Sequence, residues 1–185
     1  GGTVTTTILP NNSTYITGIN DSGESFSLQS GIANNFILNS QGRQQVSSGG
    51  VANNTTLNAG ASQFIHQSGT ANNTTINSGG SQFIEQGGIA NSTTVNAYGS
   101  QVISSGGIAN FTDVLALGSQ FILNGGTANS TTLASGAEQF VSSGGMANNT
   151  LVENGAIKHI ESGAIIDGDV VEGWEIVSSG AQTHD

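Results

Sequence analysis

"SGGVANNTTLNAG" runs from Ser48 to Gly60, and a paraphrase of it, "SGTANNTTINSGG", runs from Ser68 to Gly80. The alanine of the shared xAN triplet recurs at Ala33, Ala52, Ala71, Ala90, Ala109, Ala128 and Ala147, always 19 residues apart. Seven copies in fixed register exceed what a Gly/Ser/Thr/Asn-rich composition produces by chance, so the repeat is read before any local secondary structure. Aligned on it, the column Leu38, Leu57, Ile76, Val95, Val114, Leu133, Val152 is aliphatic throughout, as is Val46, Ile65, Ile84, Ile103, Ile122, Val141, Ile160. Both columns are assigned to a core. Each lies in a short stretch rich in Thr, Ile, Val and Phe between "SGG", "NSG" or "NAG" segments, the pattern of strands between turns. The density of glycine and β-branched residues excludes helices.

Two strands of about five residues and two turns fill one period, and such a pair cannot bury its apolar side alone. Stacked at ~4.8 Å per copy, it can. The reading is an all-β, right-handed parallel β-helix of about ten coils in one domain, a rod of roughly 45 to 50 Å, the hand following from the crossover preference of parallel strands. In it Asn34, Asn53, Asn72, Asn91, Asn110, Asn129 and Asn148 stack as a ladder whose amides bond coil to coil and whose residue type tolerates a left-handed turn. Glycine pairs such as Gly49–Gly50 and Gly106–Gly107 serve the opposite turn. Residues 1–31 read as irregular N-terminal coils, 32–165 as regular repeats, and 166–185 as an irregular C-terminal coil in which "EGWEIVSSG" falls two residues short of phase. Trp174 with Glu161, Asp167, Asp169, Glu172 and Glu175 reads as a solvated cap.

Composition removes several function classes. Charged residues make up 8 % of the 185, the formal net charge is −10, and Arg43 and Lys158 are the two basic residues. Neither has an evident acidic partner in the sequence. Two isolated cations cannot build the basic stripe that phosphate binding requires, which excludes nucleic acid and argues against anionic membrane surfaces. Apolar runs stay far below the ~20 residues of a membrane helix, and no signal-peptide pattern is present. Cysteine is absent, so disulfides are excluded and stability must come from repetition.

The column beside Ile65 reads Phe26, Gln45, Phe64, Phe83, Val102, Phe121, Phe140, His159. Strand alternation places it outward, and Phe64, Phe83, Phe121 and Phe140 then form an exposed contact stripe. The alternative is an irregular coil that tucks both columns inside.

The pattern "SGGxANxTxxNSGGSQF", repeated through nearly the whole chain, resembles the passenger repeats of the self-associating autotransporter adhesins of Gram-negative bacteria, of the AIDA, antigen 43 and TibA types, and most of all a heptosylated member such as TibA. "ITGINDSGESFSLQSG" from Ile16 to Gly31 is similar to inserts in that family. The resemblance implies export through the periplasm to the cell surface and a tether to the outer membrane through a barrel absent from these residues. It further implies autoaggregation, attachment to host cells, and O-heptosylation by a bacterial heptosyltransferase that uses an ADP-heptose donor. A transferase needs an exposed hydroxyl, and Ser47, Ser48, Ser104, Ser105, Ser142 and Ser143 precede Gly-Gly pairs, while Ser68, Ser78 and Ser135 occupy related turns. Each is a glycan acceptor candidate, against the alternative of a plain turn residue. Copies ending in "EQGG" and "LNGG" lack the serine pair, so modification is not uniform.

Other motifs are explained without chemistry. Asn-x-Thr triplets such as Asn53 with Thr55 and Asn91 with Thr93 belong to the Asn ladder, and His66, His159 and His184 share no spacing. No catalytic residue, cofactor or metal site is assigned. The alternative functions are a β-helical polysaccharide-degrading enzyme, which needs grouped carboxylates where Asp113 stands alone, and an ice-binding solenoid. The latter needs outward Thr-x-Thr, whereas Thr55 with Thr56 and Thr74 with Thr75 put one hydroxyl on each face.

Overall fold

One period closes into one coil because it contains three corners. In the computed structural model, which describes the backbone of residues 5–8, 15–19, 25–29 and 31–184 and the side chains of residues 32–182, the coil from Thr70 to Gly88 shows all three. The strand Thr70–Ile76 is bent at Asn73, whose φ is 56°. A turn at Asn77–Gly80, closed by Gly80 N–H donating to Asn77 O at 2.8 Å, leads into the strand Ser81–Ile84. The turn Glu85–Gly88 completes the coil.

Every coil pairs with the next in parallel and in register. Ala71 faces Ala90 and Ile76 faces Val95 in one sheet, while Ser81 faces Ser100 and Ile84 faces Ile103 in the other. The described residues form a parallel β-solenoid of about eight turns and contain no helix. The count is lower than the ten expected from dividing length by period, because the strands before Gly31 do not continue the stack. Thr5–Ile8 pairs antiparallel with Gly31–Asn34, and Tyr15–Ile19 pairs antiparallel with both Ser25–Gln29 and Arg43–Ser47. This antiparallel layer covers the edge of the first coils, which would otherwise present unpaired backbone groups. Phe26 faces Gly18 in it, so Phe26 is not a member of the parallel column to which the period assigned it. At the far end the missing two residues are visible in the register: Val170 pairs with Leu151 at 19, whereas Trp174 pairs with Ile157 and Gln182 with Ile165 at 17.

The aliphatic columns are inside as expected, with Leu57, Ile65, Ile76 and Ile84 all 0 % exposed. Between them lies a polar spine. Gln44, Gln63, Gln82, Gln101, Gln120 and Gln139 are fully buried, and from Gln63 onward each amide donates to the glutamine one coil earlier, as from Gln101 Nε2 to Gln82 Oε1 at 2.8 Å. The buried threonines add a second bond to the same oxygens, for example Thr112 Oγ1 to Gln101 Oε1 at 3.2 Å. From Gln63 to Gln120 each interior amide is thereby bonded through both Nε2 and Oε1, which is the condition for burying it without a penalty of about 1–3 kcal/mol, while Gln44 Nε2 and Gln139 Oε1 at the two ends of the spine have no hydrogen bond. The spine separates the interior into two apolar strips, one built on the Ile65 and Ala71 columns and one on the Leu57 and Ile76 columns.

The expected Asn ladder is present. Asn72 Nδ2 donates to Asn53 Oδ1 and Asn91 Nδ2 to Asn72 Oδ1, both at 2.9 Å. The left-handed position is the next residue along, however. Asn54, Asn73, Ser92, Phe111, Ser130 and Asn149 carry φ between 54° and 58°, while the ladder asparagines are in the strand. A second ladder runs through Asn39, Asn58, Asn77 and Asn96, closing at 2.6 to 2.8 Å.

Candidate functional site

The turn serines occupy two edges of the rod. In Ser47–Gly50, Gly50 N–H donates to Ser47 O at 2.9 Å, and both central residues have positive φ, 52° at Ser48 and 78° at Gly49. That is a type I′ turn. Ser104–Gly107 repeats it, with 50° at Ser105 and 82° at Gly106. The left-handed backbone turns the Ser48 and Ser105 side chains away from the coil; these two and Ser143 are exposed, while Ser47, Ser104 and Ser142, at the strand ends, are half-buried. Ser68, with φ 65°, is exposed on the same edge. Ser78 and Ser135 are exposed on the other edge, each directly before a glycine of positive φ. Ser40 and Ser162 are exposed as well and stand in the columns of Ser78 and Ser143. Counting 19 residues along each column would have found them; reading for "SGG" alone passes over them.

The phenylalanine column faces outward. Along Ser81–Ile84 and its equivalents, Gln and Ile are buried and Ser and Phe are half-buried, in strict alternation. The rings cover one another: Phe64 and Phe83 stack at 4.9 Å and 11°, Phe121 and Phe140 at 5.1 Å and 8°, and Phe140 and the His159 imidazole at 4.5 Å and 3°. Val102 interrupts the stack, and the Arg43 guanidinium caps it 5.0 Å above Phe64. Such pairs add roughly 0.5–1.5 kcal/mol each beyond the area they bury, so the stripe stabilises its sheet while leaving one edge of every ring in solvent.

Lys158 corrects two sequence expectations. It is fully buried in the glutamine column, and its ammonium is paired with Asp169, whose side chain is 2 % exposed. Lys158 Nζ also donates to Thr150 Oγ1 at 3.1 Å, and Asp169 Oδ1 accepts from Thr150 N–H at 3.0 Å. Lys158 thus has an acidic partner, and Asp169 belongs to the interior rather than to a solvated cap. Glu175 is half-buried and sits beside Lys158 in the next coil, whereas Glu161, Asp167, Glu172 and Trp174 are exposed as expected. Burial pushes the Lys158 ammonium below its ordinary value, and the carboxylates of Asp169 and Glu175 act against that shift.

Thr55 and Thr93, of the Asn-x-Thr triplets, are 1 % and 2 % exposed. His66 is half-buried on the outside, and the His184 side chain lies outside the described residues. Among the described residues no three His, Asp or Glu side chains converge on a point where they could hold a metal ion.

Residues 17–80 match the family AIDA, described as "Adhesin of bacterial autotransporter system, probable stalk". Among solved structures, the chain resembles a TibC-catalysed, hyper-glycosylated fragment of TibA with 33 % sequence identity and a TM-score of 0.73, over 83 % of this chain and 70 % of that one. No curated protein sequence matches the chain.

Proposed function

Because this chain belongs to the AIDA/TibA family of autotransporter adhesin passengers, we propose that it stands on the outer face of a Gram-negative outer membrane and joins cells through extended lateral contacts. The observation that carries this reading is the repetition of exposed chemistry along the rod. Turn hydroxyls and half-buried rings recur in several coils at multiples of about 4.8 Å, so a weak contact made once between aligned rods is made several times. No deep pocket is needed for such binding.

The exposed turn serines are the acceptors of O-linked heptose from a bacterial heptosyltransferase. Their support is geometric: Ser48 and Ser105 project from two-residue turns that a transferase can reach without unfolding a strand, and the related TibA fragment is itself hyper-glycosylated. A net charge of −10 opposes self-association, so the contacts between passengers are polar and apolar, made by sugars and by the Phe64, Phe83, Phe121 and Phe140 stripe. For the enzyme reading, no three His, Asp or Glu side chains among the described residues converge to hold a metal ion, and the ice-binding reading meets an outward threonine line interrupted by Asp113 and Leu151.

Cells displaying the passenger with the transferase are expected to settle from suspension and to attach to host-cell monolayers. Changing the four phenylalanines to serine slows settling if the stripe is a contact face. Unchanged settling by a folded, normally glycosylated variant removes the stripe from the proposal, and equal settling with and without sugar removes the glycans.

A further inference from the structure

The outer face of the bent sheet carries a groove of about 430 Å³ that neither the serine edges nor the phenylalanine stripe touches. One wall follows the left-handed bend positions from Asn73 to Asn149, and the other follows the outward strand positions from Thr75 to Leu151. At ~4.8 Å per coil its five coils give it a length of roughly 20 Å. Midway along it, one coil departs from the repeat twice. Phe111 replaces the Asn or Ser of the bend, and Asp113 replaces the threonine, facing Thr94 on one side and Thr132 on the other.

Phe111 is not explained by folding. Its φ is 56°, a conformation unfavourable for a bulky side chain, and its ring is 65 % exposed, so burial does not compensate. The stripe phenylalanines cover one another, but the neighbours of Phe111 in its column are Ser92 and Ser130. No aromatic neighbour in its column stacks on the ring, and most of the residue is open to solvent.

We propose that this groove binds a neutral saccharide. A pyranose ring has one apolar C–H face, which stacks on an aromatic ring, and an edge of hydroxyls, which need mixed donors and acceptors. Phe111 supplies the platform, Asp113 accepts, and the flanking threonine and serine hydroxyls and the amides of Asn73 and Asn149 do both. The lining contains no Lys or Arg, and with Asp113 at its centre in a chain of net charge −10 it repels anionic sugars. The site does not depend on modification of the turn serines. Its ligand is a neutral glycan either on a host surface or on a second passenger.

The test is retention on an array of neutral and sialylated glycans, with a second arm on immobilised glycosylated passenger. The comparison is with Phe111→Asn, which restores the residue type of Asn54 and Asn73 and keeps or raises the melting temperature. The wild type is expected to retain neutral glycans and not sialylated ones, and Phe111→Asn to lose retention at least tenfold. Retention in the array arm assigns a host source, and retention in the second arm alone assigns another passenger. The proposal is overturned if neither arm retains the wild type, if Phe111→Asn binds equally, or if binding is abolished by salt and is carried by cationic rather than neutral ligands.

Discussion

Asp169 meets Lys158 eleven residues back, the separation at which Thr112 meets Gln101. The ion pair therefore occupies the same interior register as the uncharged Thr–Gln pairs of the preceding coils. The spine changes from amide and hydroxyl to ammonium and carboxylate in one step, and Oε1 of Gln139, just before the change, is buried without a hydrogen bond. In the earlier coils the next glutamine supplies that donor.

It follows that Lys158→Ala, which leaves the Asp169 carboxylate buried without its cation, destabilises by about 3–5 kcal/mol. The double change Lys158→Gln with Asp169→Thr extends the neutral spine, gives Gln139 its donor, and should return stability to within about 1 kcal/mol of the wild type. Chemical denaturation of the three proteins checks this; a double variant as unstable as Lys158→Ala would show that the ion pair is not interchangeable with the spine.

The lowered Lys158 ammonium gives a pH signature. The folded chain releases this proton at a lower pH than the unfolded chain, whose lysine titrates near the ordinary 10.5. Between those two values the unfolded state holds more protons, so the Lys158 contribution to stability rises with pH and is absent below the folded value. Relative to the double variant, the wild type gains stability as pH is raised toward 10.5. A relative loss over that range would contradict the assignment.

How much of this could be read from the sequence depends on the range of the signal. The Ile65 and Leu57 columns and the first Asn ladder repeat at one period and are visible by alignment alone. The buried glutamines were also within reach: Gln63 is two residues before Ile65 and alternation puts them on one face, although a polar column is stable inside only because the stacked amides bond coil to coil. The Lys158–Asp169 pair was not visible, because an eleven-residue separation becomes a contact only once the coil is closed. The coil number came out high because composition before Gly31 continues the repeat's theme while the strands there pair antiparallel, a change of direction that residue type does not report.

Inward and outward columns can be separated at one pair of adjacent residues. Ile84 is fully buried and Glu85 is half-buried at the start of a turn. Ile84→Asp places an unpaired charge in the stack and is expected to cost roughly 4 kcal/mol or more, whereas Glu85→Ser should stay within about 0.5 kcal/mol. Thermal melting of both variants decides the matter, and equal midpoints would refute the inward assignment of the Ile65 column.

Leu117 offers a test of the left-handed positions. Its φ is 64° and its side chain is 53 % exposed, in a column where most coils carry glycine, as at Gly60, Gly79 and Gly136. Leu117→Asn relieves the backbone while losing little burial and is expected to raise stability by about 0.5–1 kcal/mol. A lower melting temperature would mean that Leu117 is held by contacts that exposure does not reveal.

Whether the repeated outer surface is built to be modified is decided by intact and site-mapped mass spectrometry of the passenger produced with and without a co-expressed heptosyltransferase. Mass increments of whole heptoses are expected only when the enzyme is present, on exposed turn serines such as Ser48, Ser105, Ser78 and Ser135, with the buried Thr55, Thr74 and Thr93 column bare. An unchanged mass, or sugar distributed without regard to the turns, would contradict the proposed modification.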